Sequence, residues 1–141
     1  MTQTDRLEFN RKVRAAIIDR AKGKCEACEA PLKPGEGEVD HILPAAKGGL
    51  DETANWALAC RVCNLRKSDA VDGVDPLTNQ RVLLFHPREQ VWHEHFDTQG
   101  DPPVLLVGKT ATGRVTVERL QLNTAVQQAA RVQWITLGLF P

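Results

Sequence analysis

All four cysteines of this chain stand in two Cys-x-x-Cys pairs, Cys25 with Cys28 and Cys60 with Cys63. Two thiolates separated by two residues can bind the same ion, and four of them complete the tetrahedral shell of a structural zinc site. A redox pair of thioredoxin type would occur once, in a larger fold. Two disulfides are disfavoured if the protein is cytoplasmic. We therefore predict one structural Zn²⁺, which cannot be a catalyst because four thiolates leave it no open position.

The length of 141 residues fits one compact domain with a single core. Within it we predict an N-terminal basic helix over residues 1–24, a core with the zinc site over residues 25–72, and an accessory extension over residues 73–141 that packs on this core. No stretch approaches the roughly 18 apolar residues that cross a membrane, and the first residues lack the apolar run of a secretory signal. We therefore expect a cytoplasmic protein.

Charge is unevenly distributed along the chain, although its formal net value is zero. Residues 1–24 hold seven cations and three anions, a net charge of +4, whereas residues 25–60 have a net charge of −5. A basic segment beside an acidic centre can dock a phosphate backbone next to a metal site. The solvated face of an amphipathic helix is the alternative explanation for the basic segment.

Hydrophobic periodicity and turn residues predict the order of helices and strands. In the first half we predict a helix, two short strands and a second helix that ends before an Asp72-Gly73 turn: Leu7–Ala21, Glu38–Leu43, Trp56–Ala59 and Val62–Ala70. In the second half we predict four strands and a closing helix: Val82–Phe85, Val91–Phe96, Val104–Val107, Arg114–Leu120 and Thr124–Leu137.

A second set of polar residues lies between and just after the cysteine pairs: Asp40-His41-Ile42 before Pro44, Gly48-Gly49, Asn55, Asn64 directly after Cys63, and Lys67. Phosphodiester hydrolysis needs a base that deprotonates water and a cation that stabilises the developing charge. His41 can be that base because an imidazole titrates near neutral pH. Asp40 and Asn64 can give Mg²⁺ two oxygen ligands, with water and phosphate as the others. On a strand Asp40 and His41 point to opposite faces, so one site can use both only if the strand end twists or Asp40 reaches across the following loop.

From about Cys25 to Lys67 the sequence resembles the zinc-containing form of the HNH endonuclease family, with Asn64 in place of the final histidine. The resemblance implies an α+β fold with a ββα-metal core, structural zinc knuckles, an N-terminal helix and a C-terminal strand and helix extension. It also implies that Asp40 is a ligand of the catalytic metal and that Asn55 holds the loop and orients His41. Because Asn64 offers an amide oxygen, we expect Mg²⁺ or another divalent ion such as Mn²⁺ or Ni²⁺.

Two further charged residues, Lys67 and Glu38, are candidates for this site. Lys67 lies one helical turn after Asn64 and is assigned to the catalytic set with His41 and Asn55, while a solvated helix charge is the alternative. Glu38 is left outside the set because an edge-strand anion explains it equally well.

The function predicted from these residues is metal-dependent hydrolysis of phosphodiester bonds in DNA, as nicking or cutting with weak sequence preference. A zinc-bound module that docks on nucleic acid or protein without catalysis is the alternative, because a neutral chain has little electrostatic affinity for a polyanion. A redox or zinc-storage protein is a third possibility. A base at His41 with a metal ligand at Asn64 favours the enzyme, since a binding module needs neither.

The C-terminal extension contains Phe-x-Pro-Arg, Trp-x-x-His-Phe and Thr-x-x-Gly-Arg segments, which resemble an extension of small stand-alone bacterial HNH proteins. His93 and His95 alternate on the predicted strand and could form a second metal site, but packing beside Trp92 and Phe96 is the favoured interpretation. The polar segment 108–114 is predicted to be a turn between two strands. The extension could cover the core, recognise a partner, or bind nucleic acid through Arg88 and Gln90.

Overall fold

The computed structural model describes residues 2–141, and the side chains of residues 4–9 lie outside that description. Residues 2–141 form five α-helices and six strands: α1 Gln3–Arg20, β1 Glu38–His41, β2 Trp56–Ala59, α2 Arg61–Lys67, β3 Asp72–Val74, β4 Arg81–Leu83, α3 Trp92–His95, β5 Phe96–Gln99, β6 Leu105–Gly108, α4 Ala111–Arg119 and α5 Ala125–Thr136. The strands form three antiparallel pairs, β1 with β2, β3 with β4, and β5 with β6. The predicted α+β class is therefore confirmed. No helix within residues 2–141 is long and apolar enough to cross a membrane.

Strands β1 and β2 and helix α2 form a ββα unit. The register places Glu38 opposite Ala59 and His41 opposite Trp56. Helix α2 begins directly after Cys60, whose sulfur accepts a hydrogen bond from the Cys63 backbone N–H and so caps the first turn. The cysteine pair thus links the end of β2 to the start of the helix.

Helix α1 packs against β2 and uses two of its cations to bind backbone oxygens. Arg20 donates hydrogen bonds to the carbonyls of Thr53 and Trp56, at 3.0 and 2.7 Å. Arg14 donates to the Gly37 carbonyl at 2.7 Å. Part of the positive charge predicted for phosphate docking is therefore used to hold the helix on the ββα unit.

Helix α4 replaces a predicted strand. The segment Arg114–Leu120 was expected to be extended because it is rich in valine and threonine, yet Ala111–Arg119 is helical. Thr110 caps this helix by accepting a hydrogen bond from the Gly113 N–H, and Val115 and Thr116 are buried against neighbouring elements. The segment 108–114 accordingly connects a strand to a helix and is not a turn between two strands.

Two other predictions differ from the structure. Residues Val91–Phe96 do not form one strand, because Trp92–His95 make a helical turn and β5 begins at Phe96. The pair Asp72-Gly73 lies in β3, paired with Leu83 and Val82. The turn comes later, where Asp75 accepts hydrogen bonds from the Leu77 N–H and the Thr78 hydroxyl.

Gly113, the glycine of the Thr-x-x-Gly-Arg segment, lies where two backbones approach each other closely. A Cβ atom at Gly113 would lie 1.9 Å from the carbonyl oxygen of His95. This distance is far below any van der Waals contact, so a side chain cannot be accommodated without moving one of the two backbones. Gly113 therefore lets α4 pack against the end of α3.

One buried cluster joins the cysteines to the C-terminal extension. Its members come from both halves of the chain: Cys25, Cys28, Ala30, Ala59, Cys63, Phe85, Trp92, Phe96, Leu106, Leu120, Leu122 and Phe140. The indole N–H of Trp92 donates to the Ala27 carbonyl at 2.9 Å, inside the first Cys-x-x-Cys pair. Burial of the first cysteine pair therefore depends in part on Trp92, which lies more than 60 positions later in the chain.

Candidate functional site

The four cysteine sulfurs lie within 4.8 Å of one another, and three of the four residues are buried. Cys28 Sγ is 3.9 Å from Cys60 Sγ, close to the roughly 3.8 Å edge of a tetrahedron built from zinc–thiolate bonds of about 2.3 Å. Hydrogen bonds among the sulfurs hold the pKa of the Cys60 thiol well below its ordinary value and those of the Cys28 and Cys63 thiols above it. The number and spacing of the sulfurs are those of a structural zinc ion, so the cluster fits that metal.

The face of β1 that is directed at α2 carries two carboxylates, Glu38 and Asp40. Each meets a polar side chain from α2, where Asn64 and Lys67 lie one turn apart. Asn64 Nδ2 donates to Glu38 Oε2 at 2.8 Å, and Lys67 Nζ donates to Asp40 Oδ1 at 3.1 Å. Lys67 also donates to the His41 carbonyl at 3.0 Å. Carboxylate and amide oxygens therefore gather at the joint of strand and helix, beside Cys63.

Asp40 is the buried member of this group, with only 9 % of its surface exposed. Burial raises the pKa of its carboxyl above the ordinary value, and the neighbouring Lys67 ammonium works in the opposite direction. Asp40, Asn64 and Lys67 line a cavity of about 40 Å³. The Asp40 carboxylate and the Asn64 amide offer oxygens of the type that Mg²⁺ prefers. Since the Asn64 nitrogen already donates to Glu38, the Asn64 oxygen is the atom left for a cation.

His41 lies on the opposite face of β1, as expected from strand alternation, so its imidazole does not contact the Asp40 carboxylate. Its Nε2 is 2.6 Å from Asp51 Oδ1. Sequence reasoning missed Asp51. Its position two residues after the Gly48-Gly49 turn was the available signal, because that turn directs the loop back toward the end of β1.

Asn55 holds the loop between β1 and β2 at both of its ends. Its side chain accepts from the Leu43 N–H at 2.8 Å and donates to the carbonyls of Leu43 and Leu50, at 2.9 and 3.0 Å. Its backbone carbonyl accepts from the Ile42 N–H. These bonds bring residue 50 next to residue 43, which places Asp51 beside His41.

The histidines of the extension are separated from each other. His95 Nδ1 is 2.7 Å from the Thr110 hydroxyl, whereas the exposed His93 ring packs edge-on against Trp92 with centroids 4.9 Å apart. The cysteine cluster is the one group of three or more metal-ligating side chains found among the described residues. The packing interpretation is therefore the one that the structure supports.

Arg88 and Gln90 also serve the fold. Arg88 forms an ion pair with Glu26, and both side chains are largely covered, at 14 and 12 % exposure. Glu26 in turn accepts from the Leu58 N–H at 2.8 Å, and the Gln90 side chain accepts from the His86 N–H at 2.9 Å. The ion pair of Arg88 with Glu26 thus attaches the extension to the first Cys-x-x-Cys pair, and the Gln90 bond lies within the extension.

Comparison with known families supports a nuclease-type function. No match was found among curated proteins or among solved structures. A family model described as HNH endonuclease matches residues 25–70. This span contains both cysteine pairs, the ββα unit and every residue predicted for catalysis. Residues 25–70 therefore match the HNH endonuclease family, and the resemblance drawn from the motifs is confirmed for that part of the chain.

Proposed function

We propose that the chain is a metal-dependent HNH endonuclease that hydrolyses phosphodiester bonds in DNA. The observation that supports this most is that Asp40 and Asn64 line one cavity at the joint of β1 and α2, with His41 as the next residue of the strand. This arrangement offers oxygen ligands for a hard cation on one face of the strand and an imidazole on the other, and the proposal requires a phosphate bound across the end of the strand to meet both.

In this proposal a bound Mg²⁺ or Mn²⁺ would supply Lewis-acid stabilisation of the charge that develops on the phosphate and the leaving oxygen. Asp40 and Asn64 would hold the ion through their side-chain oxygens. His41 would take the proton of the attacking water, and Asn55 would keep the loop that surrounds it in place. Lys67 would hold the metal ligand and the base in fixed relative positions, because it donates both to the Asp40 carboxylate and to the His41 carbonyl.

The surface charge supports a nucleic acid as the substrate. Arg11 and Lys12 are exposed on α1, and Lys47 is exposed in the loop that follows β1. Such cations can neutralise backbone phosphates, although their number predicts modest affinity and strong dependence on salt. Weak sequence preference follows, because phosphate contacts do not read bases.

One observation favours the alternative of a non-catalytic binding module. The Asp40 carboxylate is already neutralised by the Lys67 ammonium at 3.1 Å, and a carboxylate in an ion pair has less attraction left for a cation. The two functions differ in whether the chain can cleave, which a direct assay measures.

The test incubates supercoiled plasmid, linear duplex, single strands and RNA with purified protein and Mg²⁺, Mn²⁺, Ni²⁺ or EDTA. The proposal expects metal-dependent nicking or cutting of DNA, and a fall of roughly 10²- to 10⁴-fold for His41→Ala. His93→Ala is the matched control, since His93 is an exposed histidine outside the site, and it should cut like the wild type. Binding to DNA without cleavage under any metal would favour the binding module, and equal cutting by His41→Ala would place the base elsewhere.

A further inference from the structure

Asp51 has a side chain 85 % exposed to solvent, yet one of its carboxylate oxygens lies 2.6 Å from His41 Nε2. A solvated aspartate normally needs no such partner. At neutral pH a carboxylate can only accept hydrogen bonds, so the proton of this bond must lie on the imidazole nitrogen. The bond therefore selects the form of neutral His41 that is protonated at Nε2.

The loop that carries Asp51 is built to hold it in this place. Asn55 donates to the carbonyls of both Leu43 and Leu50, which ties the residue before Asp51 to the end of β1. Gly49 lies so close to the Leu43 carbonyl that a Cβ atom would be 1.7 Å from its oxygen. The close approach of the two loop ends thus depends on Gly49 and Asn55, and it leaves Asp51 facing His41.

We propose that Asp51 is the positioning residue of His41: by accepting from Nε2–H it fixes the ring and leaves Nδ1 as the nitrogen that takes the proton from water. The inference rests on the proposed nuclease function. It also gives Asn55 an indirect role, since Asn55 orients the base through the loop and Asp51.

The first experiment measures the tautomer and needs no activity. Nitrogen NMR of the ¹⁵N-labelled, zinc-loaded full chain at about pH 8, above the ordinary pKa of a free imidazole, follows the ring nitrogens of His41, assigned with the His41→Ala variant. In the wild type we expect one Nε2-protonated form with its N–H proton shifted downfield by the carboxylate. Asp51→Ala should lose the downfield proton and give a mixture of both tautomers. Unchanged His41 resonances in Asp51→Ala would overturn the proposal.

The second experiment measures cutting by the same proteins. Because the pair is exposed, water can replace part of the bond, and we expect kcat to fall about tenfold in Asp51→Ala with KM unchanged, which is below the roughly 10⁴-fold loss seen for buried pairs. Asp51→Glu keeps the acceptor and should recover part of kcat. Glu52→Ala removes the same charge from the next residue. The Glu52 side chain does not cap the short helical turn Thr53–Asn55 that follows it, so this variant should keep the wild-type kcat and KM.

The outcomes separate this inference from the proposed function. A wild-type kcat in Asp51→Ala, or an equal loss in Glu52→Ala, would overturn the positioning role. If the wild-type chain cuts no substrate, the proposed function fails and the catalytic role of Asp51 fails with it. The tautomer measurement does not depend on cutting. It therefore distinguishes a chain that cuts no substrate from a chain that cuts DNA without a bond between Asp51 and His41.

Discussion

Lys67 Nζ lies 3.1 Å from Asp40 Oδ1, and both side chains are largely covered, with 12 and 11 % of their surface exposed. The Lys67 ammonium already neutralises the carboxylate that the proposed metal would bind. Replacing it therefore tests both the stability of the joint and its affinity for a divalent ion.

The first prediction concerns Lys67→Met. Loss of the ammonium leaves a covered carboxylate unpaired and raises the pKa of Asp40 further, so the free energy of unfolding should fall by about 3 kcal/mol. If Asp40 is a metal ligand, Mg²⁺ should then raise the melting temperature of Lys67→Met more than that of the wild type, because one cation replaces another. The double variant Lys67→Met with Asp40→Asn is the control. Its melting temperature should not respond to Mg²⁺, and a response there would place the ion elsewhere.

The second prediction separates the two metals. Asn64→Ala removes a proposed ligand of the catalytic ion but leaves Cys63 and the zinc cluster in place. We expect unchanged zinc content and little change in melting temperature, with a higher Mg²⁺ or Mn²⁺ concentration needed for half-maximal cutting. Asp40→Ala should shift the curve in the same direction, and His93→Ala should leave it unchanged. A shift confined to His93→Ala would move the catalytic metal into the extension.

The third prediction concerns removal of zinc. The cysteines share one buried cluster with Phe85, Trp92 and Phe96, so a strong chelator should disrupt the packing of the extension as well as the knuckles. The purified protein should contain about one zinc per chain. Chelation should change the fluorescence of Trp92, measured as the difference between the wild type and Trp92→Phe. A folded protein that contains no zinc would contradict this prediction.

The fourth prediction concerns the attachment of the extension. Arg88→Met leaves the covered Glu26 carboxylate without its cation, which should lower the free energy of unfolding by about 3 kcal/mol. DNA affinity should change little, since Arg88 is not available to phosphates. Arg81→Ala is the control, because Arg81 is 65 % exposed in its pair with Asp72 and should cost less than about 1 kcal/mol. Weaker DNA binding by Arg88→Met at full stability would restore the nucleic-acid role for this residue.

The fifth prediction uses the pH dependence of stability. Asp75 is fully buried and accepts two hydrogen bonds of 2.9 Å from Arg114. These bonds hold the pKa of its carboxyl well below the ordinary value. A lowered pKa stabilises the fold above the ordinary value, and that contribution is lost as the pH falls toward the lowered pKa.

The difference in stability between the wild type and Asp75→Asn should therefore be constant from about pH 8 to 5 and shrink below about pH 4. Denaturant unfolding at each pH measures it, with the exposed Asp101→Asn as the control. A difference that grows on acidification would mean that Asp75 is protonated in the folded protein.

Local sequence signals were sufficient for the ββα unit. The two Cys-x-x-Cys pairs, the strands at 38–43 and 56–59 and the helix after Cys60 all depend on residues close together in the chain, and their observed bounds differ from the predictions by a few residues. The closing helix was equally readable, because Thr124 and Gln127 form a capping box at its start. For these elements, secondary-structure propensity, helix capping and cysteine spacing all predict the structure that is observed.

Tertiary structure decided the features that depend on partners distant in sequence. Valine and threonine in Arg114–Leu120 favour a strand by propensity, but the Thr110 cap and burial of Val115 and Thr116 make the segment helical. The pairs His41 with Asp51, Asp40 with Lys67, and Arg88 with Glu26 span 10 to 62 positions. Charge and hydrogen bonding choose such partners only after folding has brought them within reach, and only the pair of His41 with Asp51 had a local signal, the Gly48-Gly49 turn.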